Sequence, residues 1–121
     1  MRERGSATIL ALALIFAIVG VGLAAVAATQ IVTARTRAVL AADAAALAAA
    51  PMTFPPLADR SPLAAATELA AANGAVVVGC SCVTVEDFVA RSVEVEVMLP
   101  TRVVLVGDIE VMAVSRAEFV P

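Results

Sequence analysis

The first part of the chain is an unbroken run of apolar residues. Residues 5–34 contain no charge, and thirteen of the residues from 9 to 32 are Leu, Ile, Phe or Val. At about -0.3 to -0.6 kcal/mol each, these thirteen favour membrane insertion by roughly -4 to -8 kcal/mol. A helix needs about 20 residues to cross the hydrocarbon core of a bilayer. The pattern therefore predicts a transmembrane helix over residues 7–34, preceded by a cytoplasmic leader, residues 1–6.

Two other interpretations of this run compete with a membrane anchor. A core helix of a soluble protein would need a larger remainder of the chain to enclose it. A cleaved secretory signal is the stronger rival, because Arg2 and Arg4 precede the run and cleavage after Ala27 would follow a small-x-small sequence. The run is longer than the roughly 7 to 15 apolar residues of a usual signal. We therefore favour a retained anchor, with release after Ala27 as the alternative.

The helical pattern continues beyond the uncharged run. Residues 31–50 contain no Pro or Gly and are rich in Ala, and Pro51 supplies a stop. We expect one helix from residue 7 to residue 50, about 65 Å long, of which the extension over residues 35–50 protrudes from the membrane. The apolar stripe expected to pack on a domain or a neighbouring helix consists of Leu40, Ala44 and Leu47.

A second, shorter helix is predicted after a proline-rich stretch. Residues 51–61 hold three of the six prolines and predict a stiff, extended linker. Ser61 suits the N-cap and Pro62 the first helical position, while Asn73-Gly74 provides a left-handed stop. The helix should therefore end at about Ala72.

Beyond Gly74 the hydrophobic period changes from helical to alternating. In residues 92–97 Val alternates with Glu, which predicts a half-exposed strand. We expect an earlier strand over residues 75–85 and a later one around residues 109–113. Residues 86–91 form the connection, Pro100 interrupts the run, and the last strand follows a turn at Gly107-Asp108.

The predicted fold class is α+β. It combines the long transmembrane and protruding helix, the short second helix and an antiparallel sheet of three or four strands, in a pilin-like arrangement. The sheet belongs to a small extracytoplasmic domain over residues 62–121.

Composition removes several classes of function. The chain of 121 residues is 62% hydrophobic, with a mean hydropathy of +1.00, and it contains no His, Tyr or Trp. The usual near-neutral general base and the best stacking platforms for nucleic acid are therefore missing. Residues 38–121 hold ten acidic and four basic side chains, which disfavours binding to phosphate backbones. We expect no enzymatic activity, no cofactor, no metal and no nucleic-acid partner.

The charged residues on either side of the apolar run affect the orientation of the helix in the membrane. Arg2 and Arg4 on one flank oppose Arg35 and Arg37 on the other, so the positive-inside bias is nearly balanced. The acidic, Lys-free C-terminal part lacks cationic residues that would retain it in the cytoplasm. We therefore expect a single pass through the cytoplasmic membrane, with the N-terminus cytoplasmic and the C-terminal domain extracytoplasmic.

Small residues within the run provide a candidate helix-packing site. Gly20 and Ala24 form a small-xxx-small pair, with Gly22 beside them, and such spacing lets a second helix approach closely. Ala-rich membrane helices also contain such pairs by chance.

Cys80 and Cys82 are the only thiols. On an extended strand the two side chains share a face, with alpha carbons about 6.5 to 7 Å apart, so a bond between them needs local bending. The pair is therefore reduced and buried, bridged within the chain, or linked to another subunit. A zinc site would need further ligands.

The carboxylates of the C-terminal part could be imagined as acid-base pairs. Alternating acids on a strand are more often its solvated face, where they protect an edge from pairing. We assign that role to Glu94, Glu96 and Glu110, and Glu86-Asp87 belongs to the connection.

The N-terminal half resembles a known family. The sequence Arg4-Gly5-Ser6-Ala7-Thr8 opening an apolar helix, followed by an Ala-rich stretch around Asp43 and Leu47, is similar to TadE/TadG-like proteins of tight-adherence (Flp) pilus systems. The resemblance covers mainly residues 1–50. It is greatest to the short actinobacterial TadE-like proteins associated with secretion or DNA-translocation loci.

The resemblance implies a pseudopilin-like subunit whose leader a prepilin peptidase cuts after a Gly, here between Gly5 and Ser6. Other pilin-like or secretion-apparatus subunits would then be its partners. Members with the full pilin signature have Glu as the fifth residue after the cut, where this chain has Leu10. A carboxylate there would offset a neighbour's terminal amine in a low-dielectric bundle. A minor, tip-located or unpolymerised subunit therefore fits better than a major pilin.

Three functions follow from these features. The first is a structural or assembly subunit of a Tad-type pilus or secretion apparatus, anchored in the membrane. The second is a small secreted binding module released by signal peptidase after Ala27. The third is a membrane-tethered thiol oxidoreductase that uses Cys80 and Cys82.

Overall fold

The computed structural model describes residues 3–121, with side chains from Gly5 onward. Met1 and Arg2 of the predicted leader lie outside the described residues, as does the side chain of Arg4. The described chain is α+β, as predicted, with one long helix, one short helix and a three-stranded sheet. The elements are α1 (Glu3–Met52), a short 3-10 helix (Pro55–Leu57), α2 (Pro62–Ala72), β1 (Val76–Ser81), β2 (Arg91–Val103) and β3 (Gly107–Phe119).

The long helix α1 is continuous and ends one residue beyond Pro51, the predicted stop. A proline in the last turn removes only one helical hydrogen bond, so α1 tolerates it there. The turn is closed by Thr53, whose hydroxyl and backbone N–H donate to the carbonyl of Ala50 at 2.7 and 3.2 Å. The prediction of a purely extended linker over residues 51–61 is wrong, because this segment begins in α1 and contains the 3-10 helix.

The helix α2 has the predicted bounds and the predicted caps. The hydroxyl of Ser61 accepts the backbone N–H of Ala64 at 3.1 Å. At the other end Gly74 adopts a φ of 76°, and the backbone N–H of Ala75 donates to the carbonyl of Ala70 at 2.9 Å. This is a Schellman motif, in which Gly supplies the left-handed residue without a steric penalty.

The sheet is an antiparallel meander in the order β1-β2-β3. β1 is shorter than the strand predicted over residues 75–85, and it pairs only with residues 94–98 of β2. Its register shifts between Val77 and Gly79, which marks a β-bulge. β2 and β3 pair along their whole lengths and form a long hairpin.

The prediction that Pro100 interrupts the second strand is wrong. β2 continues through Pro100 to Val103, and Pro100 pairs with Glu110 of β3. β1 begins at Val76, opposite Met98, and does not reach Pro100, so at Pro100 the strand β2 has a neighbour on one side only. A proline is tolerated at such an edge position because one side of the strand has no partner to lose.

The turn between β2 and β3 precedes the position predicted for it. Residues 104–106 connect Val103 to Gly107, which are paired across the hairpin. Gly107 has a φ of 97° and Leu105 a φ of 70°. The Gly107-Asp108 pair predicted as the turn therefore begins β3 instead, where Gly107 supplies a left-handed backbone.

The core lies between the sheet and one face of α1. The inner face of β2 consists of Val93, Val95, Val97 and Leu99, all buried, as the alternation predicted. The face of α1 that meets the core is made of alanine. Its buried residues are Ala34, Ala38, Ala41, Ala42, Ala45, Ala46, Ala49 and Ala50, and we call them the alanine face.

The stripe of Leu40, Ala44 and Leu47, predicted to pack on a domain or on a neighbouring helix, is not the face of α1 that packs on the sheet domain. Leu40 and Leu47 are 58% and 67% exposed, and Ala44 is half-buried. The methyl groups of alanine leave room for the backbone of the sheet to approach the helix closely, which the larger leucines would prevent. The size of the side chains, more than their hydrophobicity, therefore determines which face of α1 packs on the sheet.

Side-chain hydrogen bonds also hold the β2-β3 hairpin against α1. Ser115 of β3 donates to the carboxylate of Asp43. At the far end of the helix, Arg91 Nη1 donates to the backbone carbonyls of Thr53 and Val85 at 2.9 and 2.7 Å. The sheet is therefore held to α1 by hydrogen bonds as well as by apolar packing.

We predict that Ala45→Leu destabilises the fold, because Ala45 is fully buried and overpacking a core costs about 1 to 3 kcal/mol. The same substitution at the exposed Ala64 of α2 is the matched control and should change stability by less than about 0.5 kcal/mol. Thermal unfolding of the full chain in detergent measures both. Equal stability of the two variants would contradict this account of the alanine face.

Candidate membrane and assembly surfaces

The first part of α1 is exposed along its whole length. All residues from 5 to 26 are exposed, and Ala27 is the first buried residue of the described helix. We call residues 5–26 the bare segment. At about 1.5 Å per residue it is about 33 Å long, which matches the roughly 30 Å of a hydrocarbon core. α1 is long and apolar enough to cross a membrane, with a mean hydropathy of 2.9 over its most apolar stretch.

The small residues predicted for helix packing lie on the bare segment. A methyl group added at Gly20 or Gly22 would meet no other atom within 4 Å, so neither glycine serves packing within the chain. Gly20 and Ala24 are four residues apart and share a face of the helix, whereas Gly22 points elsewhere. The structure therefore leaves a shallow small-residue strip of Gly20 and Ala24 open to another helix.

The predicted processing site lies at the start of α1. Gly5 and Ser6 are exposed and helical, and they border a shallow apolar depression together with Ile9, Leu10 and Ala13. Leu10, at the position where the pilin signature has Glu, is 73% exposed. This end of α1 therefore presents apolar side chains around the predicted cut.

Gln30 lies on α1 four residues beyond the bare segment. Its side-chain oxygen accepts the backbone N–H of Val104, at the turn of the hairpin, at 2.8 Å. An open groove follows between α1 and the end of β2, lined among others by Thr33, Arg37 and Arg102. No role was predicted for Gln30. The available signal was that Gln30 is the only amide side chain in the uncharged run.

Cys80 and Cys82 form a disulfide in the structure. Their alpha carbons are 5.3 Å apart, closer than in a flat strand, because β1 ends at Ser81 and the chain bends there. Both half-buried cysteines pack against the edge of the core. Of the three arrangements considered for this pair, the structure holds the bridge within the chain.

The carboxylates of the sheet do not converge on one site. Glu94 pairs with Arg116 of the neighbouring strand at 2.7 Å, Glu96 lies over Gly79, and Glu110 is exposed. Within the described residues, no group of three or more Cys, Asp or Glu side chains is arranged to hold a metal ion.

An exposed cluster of charges links α2 to the segment that precedes it in the chain. Asp59 accepts hydrogen bonds from Nε and Nη2 of Arg60, both at 3.1 Å, and these bonds lower the pKa of Asp59. Arg60 also pairs with Glu68 of α2. The cluster holds this preceding segment near α2 at the surface of the domain.

An aromatic cluster lies at the end of the domain farthest from the bare segment. The ring centroid of Phe54 is 5.0 Å from that of Phe88 and 6.0 Å from that of Phe119. The guanidinium of Arg91 lies 5.4 Å from the centroid of Phe119, within cation–π range. This cluster was not predictable from the sequence, because its members come from three distant segments.

Comparison with known proteins supports the resemblance for the helical half of the chain. The profile of the Flp pilus-assembly TadE/G-like family matches residues 5–51, a range that lies entirely within α1. No curated protein and no solved structure matches the chain. The similarity to this pilus-assembly family therefore concerns the long helix, and the sheet lies outside the matched range.

We predict that the chain in native membranes reacts with a maleimide only after reduction, because Cys80 and Cys82 are bonded to each other. Mass spectrometry of the alkylated chain, with and without reductant, measures this. Modification of both thiols without reductant would indicate a reduced pair, and a dimer that only reductant dissociates would indicate bonds between subunits. Either result would contradict the bridge within the chain.

Proposed function

We propose that this protein is a membrane-anchored, minor pseudopilin-like subunit of a Tad/Flp-type pilus or of a related secretion apparatus. The observation that carries the proposal is the division of α1 into two parts. Residues 5–26 are apolar and bare, the helix is covered by the sheet domain beyond them, and the family match spans both parts. A helix that anchors in lipid and continues as the spine of an external domain suits an envelope assembly.

The sheet limits how far the hydrocarbon core extends along α1. β3 forms one edge of the sheet, and the unpaired backbone groups of an open edge are not tolerated in lipid. The sheet domain reaches α1 at Gln30. We therefore place the hydrocarbon at the bare segment, residues 5–26, which is shorter at its outer end than the segment predicted from the sequence.

The proposed orientation has the N-terminus in the cytoplasm and the sheet domain outside it, in a single pass. The Cys80–Cys82 disulfide supports this orientation, because disulfides persist in oxidising compartments outside the cytosol. The domain from α2 to the C-terminus is also acidic, and it lacks the cationic residues that favour cytoplasmic retention.

Processing and assembly follow from the same geometry. A cut by a prepilin peptidase between Gly5 and Ser6 would remove only the leader and keep almost the whole bare segment. Leu10 cannot neutralise the amine of a neighbouring subunit as a carboxylate would, which favours a minor role over that of a major filament subunit. The strip of Gly20 and Ala24 is the proposed contact with a neighbouring helix. We assign the protein a structural role without catalysis.

The second candidate is a small binding module released after Ala27. One observation favours it, because the main core begins at Ala34 and would survive the cut. Release would require cleavage within the continuous helix α1 and would discard the matched N-terminal half of that helix. The mass of the native chain separates the candidates, since a start at Ala28 indicates release and a start at Met1 or Ser6 indicates an anchor.

We predict that Gly20→Leu reduces crosslinking of the full chain to neighbouring subunits in native membranes several-fold, because the side chain fills the strip that a second helix would approach. Ala11→Leu is the matched control. Ala11 is also exposed on the bare segment, but it lies about 180° around the helix from Gly20. Its crosslinking should equal that of the unmodified chain.

Gel analysis after treatment with a membrane-permeant crosslinker measures both variants. Both remain at least as apolar as the original helix, so membrane insertion should be unchanged. Equal crosslinking of the two variants and the unmodified chain would contradict a role for this strip in assembly.

A further inference from the structure

The turn of the β2-β3 hairpin is unusually apolar. Its three residues, Val104, Leu105 and Val106, are 39%, 72% and 58% exposed, and we call them the tip loop. Turns normally carry Gly, Asn, Asp or Ser. Leu105 also has a φ of 70°, a conformation that is costly for a bulky side chain. The chain thus presents apolar side chains at a position where polar turn residues would suit water better.

The tip loop lies where the bare segment ends. The backbone N–H of Val104 donates to the side chain of Gln30 at 2.8 Å, and Gln30 is only four residues beyond residue 26, about 6 Å along the helix. Ser115 contacts Asp43, farther along α1, and Arg91 contacts Thr53, directly after the end of α1. The hairpin therefore runs along α1 with its turn toward the lipid-exposed end.

We propose that the tip loop inserts its apolar side chains into the interface of the same bilayer that holds α1. The inference rests on the proposed function, in which the bare segment spans the membrane. A bilayer is about 40 to 45 Å thick with its headgroups and about 30 Å without them, which leaves about 5 to 7 Å of interface on each side. With the bare segment in the hydrocarbon, Gln30 lies in this layer, and the tip loop lies there beside it.

Two backbone N–H groups of the tip loop have hydrogen-bond partners within the protein. The N–H of Val104 is satisfied by Gln30, and the N–H of Val106 donates to the carbonyl of Val103 at 3.2 Å. Burying an unpaired backbone group in an apolar medium is costly, so these two bonds lower the cost of insertion. Gln30 thus ties the hairpin to the anchor and also satisfies a donor at the membrane surface.

Two arginine side chains near the tip loop are suited to contact lipid headgroups. Arg37 and Arg102 line the groove above Gln30, and Arg102 is paired with Asp108 at 2.9 Å. Arginine side chains at this depth can place their stems against apolar surface and their guanidinium groups among the phosphates. Apolar side chains at the turn with arginines above them are the order expected for a segment that enters a bilayer from its surface.

The absence of Trp from the chain allows a direct test with single-Trp variants of the full protein. The chain is reconstituted in phosphatidylcholine vesicles, with or without bromine on the acyl chains, and Trp emission is measured. Leu105→Trp reports on the tip loop. The control Val120→Trp lies near the other end of the hairpin and is similarly exposed, at 69%. Phe16→Trp, on the bare segment, reports independently on the anchor.

We expect brominated lipid to quench Leu105→Trp several-fold more than Val120→Trp and to quench Phe16→Trp strongly. Quenching of Phe16→Trp with equal, weak quenching of the other two would overturn the insertion of the tip loop and leave the anchor intact. Weak quenching of all three would overturn the anchor itself and the inference with it. A third outcome would also overturn the insertion. The Trp of Leu105→Trp could be shielded from water without being quenched by bromine, and the shielding could disappear when the protein is diluted in lipid. The tip loop would then contact a second copy of the chain instead of the bilayer.

Discussion

The packing of the sheet on the alanine face of α1 is the interaction on which the rest of the structure depends. A three-stranded sheet with one apolar face cannot bury that face alone, and α1 supplies the opposing surface. Val93, Val95 and Val97 are almost completely buried in this contact. Alanine makes the contact close because its methyl group adds little thickness. The sheet domain is therefore built around a helix that begins in the apolar segment.

This shared helix connects the fold to the proposed role. Because α1 is continuous from Glu3 to Met52, a displacement of the anchor would be transmitted directly to the sheet domain. The contact of Gln30 with Val104 fixes the lower end of the hairpin, and that of Arg91 with Thr53 fixes its upper end. A subunit of this kind would hold its domain at a constant height above the membrane, which an assembly of neighbouring subunits requires.

Local signals predicted the helices and the strand pattern, whereas contacts between distant residues were not predictable. Ser61 and Gly74 act within one turn of α2, so their sequence context fixed its ends. The prediction for Pro100 was wrong because its tolerance depends on where β1 begins, which follows from sheet pairing. Leu40 and Leu47 do not pack on the sheet domain, and their hydrophobicity could not reveal this because it does not report how closely a sheet can approach. The placement of the tip loop depends on a hydrogen bond between residues 74 positions apart.

The central claim is that one helix passes from lipid to a water-exposed protein surface, and spin labels on α1 test it most directly. Leu14 and Leu47 are similarly exposed, at 60% and 67%, and each can be replaced by Cys for labelling while the native cysteines stay bonded to each other. In vesicles, the account predicts that the label at Leu14 collides mainly with oxygen dissolved in lipid, and the label at Leu47 with a water-soluble nickel chelate. Access of the chelate to both labels, or to neither, would contradict it.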